Sequence, residues 1–96
     1  MSEKNDIIAI GDYTKEQSDK LSDEFQTTFI KSADDLVSLS VAYRGIIEGL
    51  AFKGHRPLEF DLAKFQLLPE LRIISNFGVG YDGIDVHEAT RRGIKI

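Results

Sequence analysis

The sequence predicts an α/β domain built on a parallel sheet, and three observations lead there. Short apolar, β-branched runs recur at Asp6–Ile10, Gln26–Ile30 and residues 71–75, and continuous runs of this kind suit strands covered on both faces. Between them lie stretches with helical apolar spacing and recognisable caps. Strand and helix then alternate to the end of the chain, which is the pattern of βαβ units.

Residues 1–5 are polar and read as a frayed end. Asp6–Ile10 (DIIAI) is the first strand, ended by Gly11 and Asp12. Thr14, with Gln17 three residues later, gives a capping-box signal for a helix running to about Phe25, whose thin apolar stripe of Leu21 and Phe25 lies on the sheet. Gln26–Ile30 is the second strand, rich in residues that favour extended structure. Ser32 and Asp35 cap a helix to about Ser40, with Ala33, Leu36, Val37 and Leu39 facing inward. Residues 43–47 read as the third strand, and Glu48, Gly49 and Leu50 begin the turn after it. A loop over residues 52–57 carries Lys53, His55 and Arg56, a small basic group that reads as wet surface. The third helix covers residues 58–68 with Leu58, Leu62 and Phe65 on one face, and Pro69 prevents it from continuing.

The last quarter of the chain is the most informative. Residues 71–75 form a buried strand, 76–83 a glycine-rich turn, 86–92 a brief helix and 94–96 the start of a fifth strand. Right-handed crossovers leave few arrangements for such a series, and the flavodoxin-like order 2-1-3-4-5 fits best: a three-layer sandwich, truncated after its fifth strand begins. Ligands in these sheets sit beyond the carboxyl ends of the strands. The turns expected there are residues 11–13, 48–50 and 76–80.

Gly78, Gly80 and Gly83 lack a Cβ, so a ligand can approach bare peptide N–H groups, the chemistry of an anion cradle. Asp85 is placed to cap the following helix with Glu88 in the capping-box position; Arg91 and Arg92 suit its last turn, and Gly93 offers a left-handed stop. The same glycines satisfy G-x-G-x-x-G, the dinucleotide fingerprint. Three features count against a nucleotide: the 96-residue sequence ends before the position about 20 residues on where an acidic ribose partner is expected, Asp82 and Asp85 bring negative charge, and the strand is the fourth, not the first. A small carboxylate suits the cradle better, and the bland alternative is a turn that only reverses the chain.

The run SNFGVGYDGID, followed by a short helix and RGIKI, resembles the D-isomer-specific 2-hydroxyacid dehydrogenase family, close to its glyoxylate and hydroxypyruvate reductases. YRGIIEGL and LLPELRIIS match in order upstream, so the likeness is sharp over residues 43–96 and vague before. The resemblance implies a flavodoxin-like substrate domain, residues 1–96 here, and a Rossmann domain for NAD or NADP that is absent. It implies that backbone amides at Val79 and Gly80, beside Gly78, hold the carboxylate of a small 2-oxo or 2-hydroxy acid. Gly49 and Leu50 would wall the pocket from the other side, with Asn76 as a further donor. It also implies a homodimeric complete enzyme whose catalytic arginine, glutamate and histidine come from the region after Ile96. The 96-residue chain would then bind no cofactor, supply no catalytic residue and be inactive.

Composition narrows the remaining classes. With 42% hydrophobic and 29% charged residues, the chain is an ordinary globular one. A net charge of −4 lacks the basic excess that follows nucleic-acid phosphates. No apolar run suits a membrane span, and no leader is evident, so a cytoplasmic location is the default expectation. The absence of cysteine and the wide separation of His55 and His87 leave no expected metal site, and both histidines read as solvated. A competing reading is a stand-alone flavodoxin-like binding or regulatory module. Against it, a receiver would want clustered acids after the first strand and an aspartate after the third, where only Asp12 and Glu48 stand.

Overall fold

The computed structural model describes residues 4–54, 57–77 and 83–96. Four parallel strands, β1 (Asp6–Ile10), β2 (Gln26–Ile30), β3 (Gly49–Phe52) and β4 (Ile73–Asn76), form a sheet in the order β2-β1-β3-β4. Lys95 bridges in parallel to Ile73 and starts a fifth strand: Ile74 N–H donates to the Lys95 carbonyl at 2.7 Å, and Lys95 N–H to the Arg72 carbonyl at 3.1 Å. The flavodoxin-like order therefore holds through β4 and into its neighbour.

One face of the sheet carries the main core. Ile8, Ile10, Leu50, Phe52 and Ile74 pack there against Leu36, Phe60, Phe65, Leu68 and Ala89. Phe60 links Phe52 and Phe65 edge to face, with ring centroids at 6.0 and 4.9 Å, an arrangement that adds to simple area burial. The other face carries α1 (Lys15–Glu24), which has no buried residue of its own. Beside α1 an apolar groove of about 410 Å³ is lined by Leu21, Phe25, Ile7, Ala51, Ile73 and Phe77, among others.

The first helix is set by its cap. Thr14 Oγ1 accepts from Gln17 N–H at 3.1 Å while Gln17 Oε1 accepts from Thr14 N–H at 3.0 Å, the reciprocal pair expected from the sequence. The second helical segment differs from expectation. Residues Ala33–Ser38 form a 3₁₀ helix, with three residues per turn. Positions 33, 36 and 39 therefore share a face: Ala33 and Leu36 are fully buried, and Leu39 packs against the core. Val37, inward in an α-helical reading, is 67% exposed.

The third strand also differs. Residues 43–47 are not extended; α2 (Val41–Arg44) occupies their start, and its N-cap Ser40 accepts from Tyr43 N–H at 3.1 Å. Tyr43 turns its hydroxyl to that of Thr28 on β2. The strand is Gly49–Phe52, all four residues buried, so Gly49 and Leu50 belong to its amino half and not to a turn. A side chain is disfavoured at Gly49, because a Cβ there would lie 2.8 Å from Ile7 Cγ2 and force Ile7 to shift. The apolar content of GLAF outweighed the β-propensity of Tyr43, Ile46 and Ile47.

The third helix, α3 (Leu62–Leu67), starts four residues later than expected because Asp61 caps it. Leu58 precedes it at φ 50° and is 57% exposed, Leu62 is also exposed, and Phe60 and Leu68 take the buried positions instead. Helix α4 (Val86–Arg91) keeps its expected cap, Asp85 accepting from Glu88 N–H at 3.1 Å. The return half of the box is absent. Glu88 instead accepts from Arg91 Nε at 3.1 Å and Arg92 Nε at 2.6 Å, and Asp85 N–H donates to the Phe60 carbonyl. Gly93 ends the helix at φ 73°, as expected.

Two outcomes test this register and its electrostatics. Leu36→Ala should cost about 2–5 kcal/mol and Val37→Ala no more than about 0.5 kcal/mol in urea unfolding; equal costs would restore the α-helical register. Hydrogen bonds from Arg91 and Arg92 hold the Glu88 carboxyl below its ordinary value of 4.5. Its contribution to stability is therefore full above that value and is lost as pH falls through the lower folded one. Glu88→Gln should flatten that acid limb while leaving the neutral-to-alkaline profile parallel to the parent's, as followed by thermal unfolding across pH.

Candidate substrate site at the carboxyl edge of the sheet

The carboxyl ends of the four strands converge on one edge, and the close packing of β1 against β3 builds it. Gly11 follows β1 at φ 117°, and a Cβ there would lie 2.3 Å from the Lys53 carbonyl oxygen. Only glycine permits both that conformation and that approach. Gly11 N–H donates to the Ile30 carbonyl at 3.0 Å and Lys53 N–H to the Ile10 carbonyl at 2.9 Å. The ends of β1, β2 and β3 are thereby tied together.

Tyr13 forms the centre of the edge. Its hydroxyl donates to the Ile10 carbonyl at 3.0 Å, and burial pushes the phenol well above its ordinary pKa. Its ring meets Phe77 edge on at 5.3 Å and Phe29 at 6.1 Å between centroids. Lys53 Nζ lies 5.5 Å from the Tyr13 ring centroid and donates to Gln17 Oε1 at 3.3 Å. Phe77 N–H donates to the Phe52 carbonyl at 2.8 Å. The chain is thus delivered to this edge just where residues 78–82 begin.

The residues expected to bind substrate fare differently. Gly78, Val79 and Gly80 lie outside the described residues, as do Tyr81, Asp82, His55 and Arg56. Asn76 ends β4 opposite Phe52, at the carboxyl edge as expected. Gly49 and Leu50 do not reach it: they pair with Ile7 and Ile8 on one side and Ile73 and Ile74 on the other, and Leu50 is 2% exposed. The true carboxyl end of β3 is Phe52, followed by Lys53 and Gly54. The sequence reading did not place Lys53 at this edge and gave Tyr13 only as part of the turn after β1; the structure puts both there. The signal was the buried run GLAF, which places the next residue, Lys53, at the mouth. His87 is exposed in the first turn of α4.

Of the three fingerprint glycines only Gly83 is among the described residues, and it is engaged with the core. The Gly83 carbonyl accepts from Phe60 N–H at 2.8 Å, Asp85 N–H donates to the Phe60 carbonyl at 3.0 Å, and Glu88 N–H donates to the Asp85 side chain. A pyrophosphate at the start of α4 would meet the Asp85 carboxylate. No described helix is long and apolar enough to cross a membrane.

A sequence profile described as "D-isomer specific 2-hydroxyacid dehydrogenase, catalytic domain" matches residues 8–96. The chain belongs to the D-isomer-specific 2-hydroxyacid dehydrogenase family. A glyoxylate reductase of Thermococcus kodakarensis is 58% identical to this dehydrogenase-family chain over 36 residues, 38% of this chain and 11% of that protein. The structure of an NADPH-dependent glyoxylate/hydroxypyruvate reductase from Sinorhizobium meliloti in complex with citrate superimposes with a TM-score of 0.76 at 34% identity, over 98% of this chain and 27% of that one. A 2-hydroxyacid dehydrogenase from Ketogulonicigenium vulgare gives a TM-score of 0.82 at 28% identity, over 97% and 29%. The chain thus spans under a third of the length of these relatives.

Gly11→Ala should disturb this edge before it disturbs the core, because its Cβ meets Lys53 backbone and not a movable side chain. The expected loss is roughly 1–3 kcal/mol, with the largest amide chemical-shift changes at Tyr13, Lys53 and Phe77. Changes confined to Gly11 and its chain neighbours would show that the contact is slack.

Proposed function

We propose that this chain is the substrate-binding part of an NAD(P)-dependent D-2-hydroxyacid dehydrogenase that reduces a small 2-oxo acid such as glyoxylate or hydroxypyruvate. The observation that supports this reading is that Phe77, the residue before 78–82, is held at the carboxyl edge by its hydrogen bond to Phe52, the edge where ligands of open parallel sheets bind. Both the Thermococcus relative and the Sinorhizobium structure bear names of glyoxylate reductases. The latter's description adds NADPH and hydroxypyruvate.

In this reading the amides of Val79 and Gly80, with Gly78 keeping the approach open, hold the acid end of the substrate. Asn76, at the end of β4, contributes its side-chain amide. Gly49 and Leu50 support the pocket from within β3 without touching the ligand. Fixing one end of a small acid sets the orientation of its 2-oxo carbon, a proximity effect. The reduction also requires a hydride from a nicotinamide cofactor and a proton from an acid. Neither group is assigned to residues 1–96, so the chain by itself binds and orients but does not turn over.

A titration of the ¹⁵N-labelled chain with glyoxylate tests the reading. Saturable shifts should appear at the amides of residues 76–83 and be lost in Gly80→Val, whose fold is checked by circular dichroism. The same protein should give no glyoxylate-dependent oxidation of NADPH. Absence of saturable shifts, or their persistence in Gly80→Val, would remove the cradle; turnover would remove the division of labour.

A further inference from the structure

The amino edge of the sheet, at the opposite end of the strands from the candidate substrate site, carries a cleft of about 460 Å³ that the proposed function does not use. The starts of β3, β4 and the fifth strand build it. Arg72 N–H donates to the Glu48 carbonyl at 2.9 Å, and Lys95 N–H to the Arg72 carbonyl at 3.1 Å. These bonds bring Arg72 and Lys95 together, and Arg92 joins them from the end of α4. Ile7, Leu71 and Ile73 supply the apolar part of the lining.

The charge in this cleft runs against that of the chain. The net charge of the whole is −4, yet three cations line the cleft and Glu48 is the one carboxylate among its lining residues. Arg72 and Lys95 have no ion pair or side-chain hydrogen bond among the described residues, and Glu48 is paired with neither. Elsewhere Lys15, Lys31 and Lys64 each meet an aspartate at 2.7–3.3 Å. Arg92 is already held in place: its Nε donates to Glu88 at 2.6 Å, its guanidinium carbon lies 5.8 Å from the Phe65 ring centroid, and its side chain is 26% exposed. A guanidinium has five donors, and among the described residues only the Nε donor of Arg92 has a partner. Two guanidiniums and an ammonium around one opening favour a ligand with several acceptor oxygens and more than one negative charge. The apolar lining favours an organic body attached to it.

We propose that this cleft is a second ligand site, taking a phosphomonoester whose phosphate meets Arg72, Arg92 and Lys95 while its organic part lies on Ile7, Leu71 and Ile73. Glu48 opposes the ligand and sets how much of the cationic charge it feels. The site stands on the amino ends of the strands alone, so it leaves the carboxyl edge free and the two can be filled together.

Phenyl phosphate titrated into the ¹⁵N-labelled chain tests the proposal, at constant ionic strength and near neutral pH, where a phosphomonoester carries roughly −1.5 to −2 charge. Saturable shifts should appear at the amides of Arg72, Gly93 and Lys95, and none at Gly11 or Lys53. Benzoate, with the same ring and a single charge, should bind more weakly, and so should inorganic phosphate, which lacks the ring. Arg72→Gln and Lys95→Gln should each weaken phenyl phosphate binding about threefold, a factor of the size that a solvent-exposed charge pair supplies. Glu48→Gln should instead tighten it, a direction that loss of structure would not produce. Thermal unfolding shows which variants are folded, and the parent's preference for phenyl phosphate over benzoate stands independently of any variant. Shifts that do not saturate, shifts spread over other exposed cations such as Lys15 and Lys31, equal binding of benzoate, or unchanged affinity in the Arg72→Gln, Lys95→Gln double variant overturns the proposal. Equal binding of inorganic phosphate overturns the role given to the apolar lining.

Discussion

The central constraint in this molecule is the burial of β3 between β1 and β4. A four-residue strand has few hydrogen bonds with which to hold itself, so its place is fixed by what it covers. Leu50 and Phe52 are both 2% exposed, and each side chain contributes roughly 1.5–3 kcal/mol of transfer free energy when removed from water. Gly49 adds nothing of that kind, but its missing side chain leaves room for Ile7 and lets β1 and β3 approach. The register that results sets Ile10 beside Phe52 and Phe52 beside Asn76. From that single register follow the ends of three strands, and hence where Gly11, Lys53 and Phe77 meet.

The same register explains which parts of the fold were legible in the sequence. β1, β2 and the caps of α1 and α4 were readable because each carries its own local instruction: a β-branched run, a Thr14–Gln17 pair, an Asp85 three residues before Glu88. The middle of the chain carries no such instruction. Tyr43, Ile46 and Ile47 look more extended than Gly49-Leu-Ala-Phe by propensity, yet burial decided for the latter. That error moved the turn after the third strand five residues upstream and put Leu50 where the structure has Lys53 at the carboxyl edge. Strand propensity spans only about 1 kcal/mol, whereas burying several large apolar side chains of a strand is worth several times that. The outcome follows from the ratio.

The helices repeat the lesson at smaller scale. The 3₁₀ segment over Ala33–Ser38 presents residues three apart, which buries Ala33 and Leu36 and turns Val37 to solvent. A second constraint reinforces it: the Ala33 N–H at its start donates to Glu59 Oε2 at 3.0 Å, and Glu59 is 3% exposed. A carboxylate buried beside a helix start fixes the loop before Phe60 to the second crossover, over a sequence distance that no local pattern reveals. Phe60 then closes the core between Phe52 and Phe65, and its backbone bonds to both Gly83 and Asp85. The far side of the glycine-rich segment is thereby pinned to the core, just as its near side is pinned through Phe77.

That double attachment has a consequence for binding. A segment held at Phe77 by a strand hydrogen bond and at Gly83 and Asp85 by Phe60 has its ends placed by the fold, and a ligand that meets it loses less in ordering the chain than it would on a free loop. Glycines there could not supply rigidity on their own, since they cost more conformational entropy on ordering than any other residue. In the function proposed above, affinity for an acid depends on aromatic packing some distance away: Phe52, Phe60 and Phe65 at one end of the segment, Tyr13 and Phe77 at the other. Gln17, in a closed capping box and bonded to Lys53, and Tyr13, in an aromatic contact with Phe77, belong to the same frame that fixes the segment's ends. Both ends keep their places because Phe77 bonds to Phe52 and Phe60 packs its ring on Phe52, each against the β1–β3–β4 sheet.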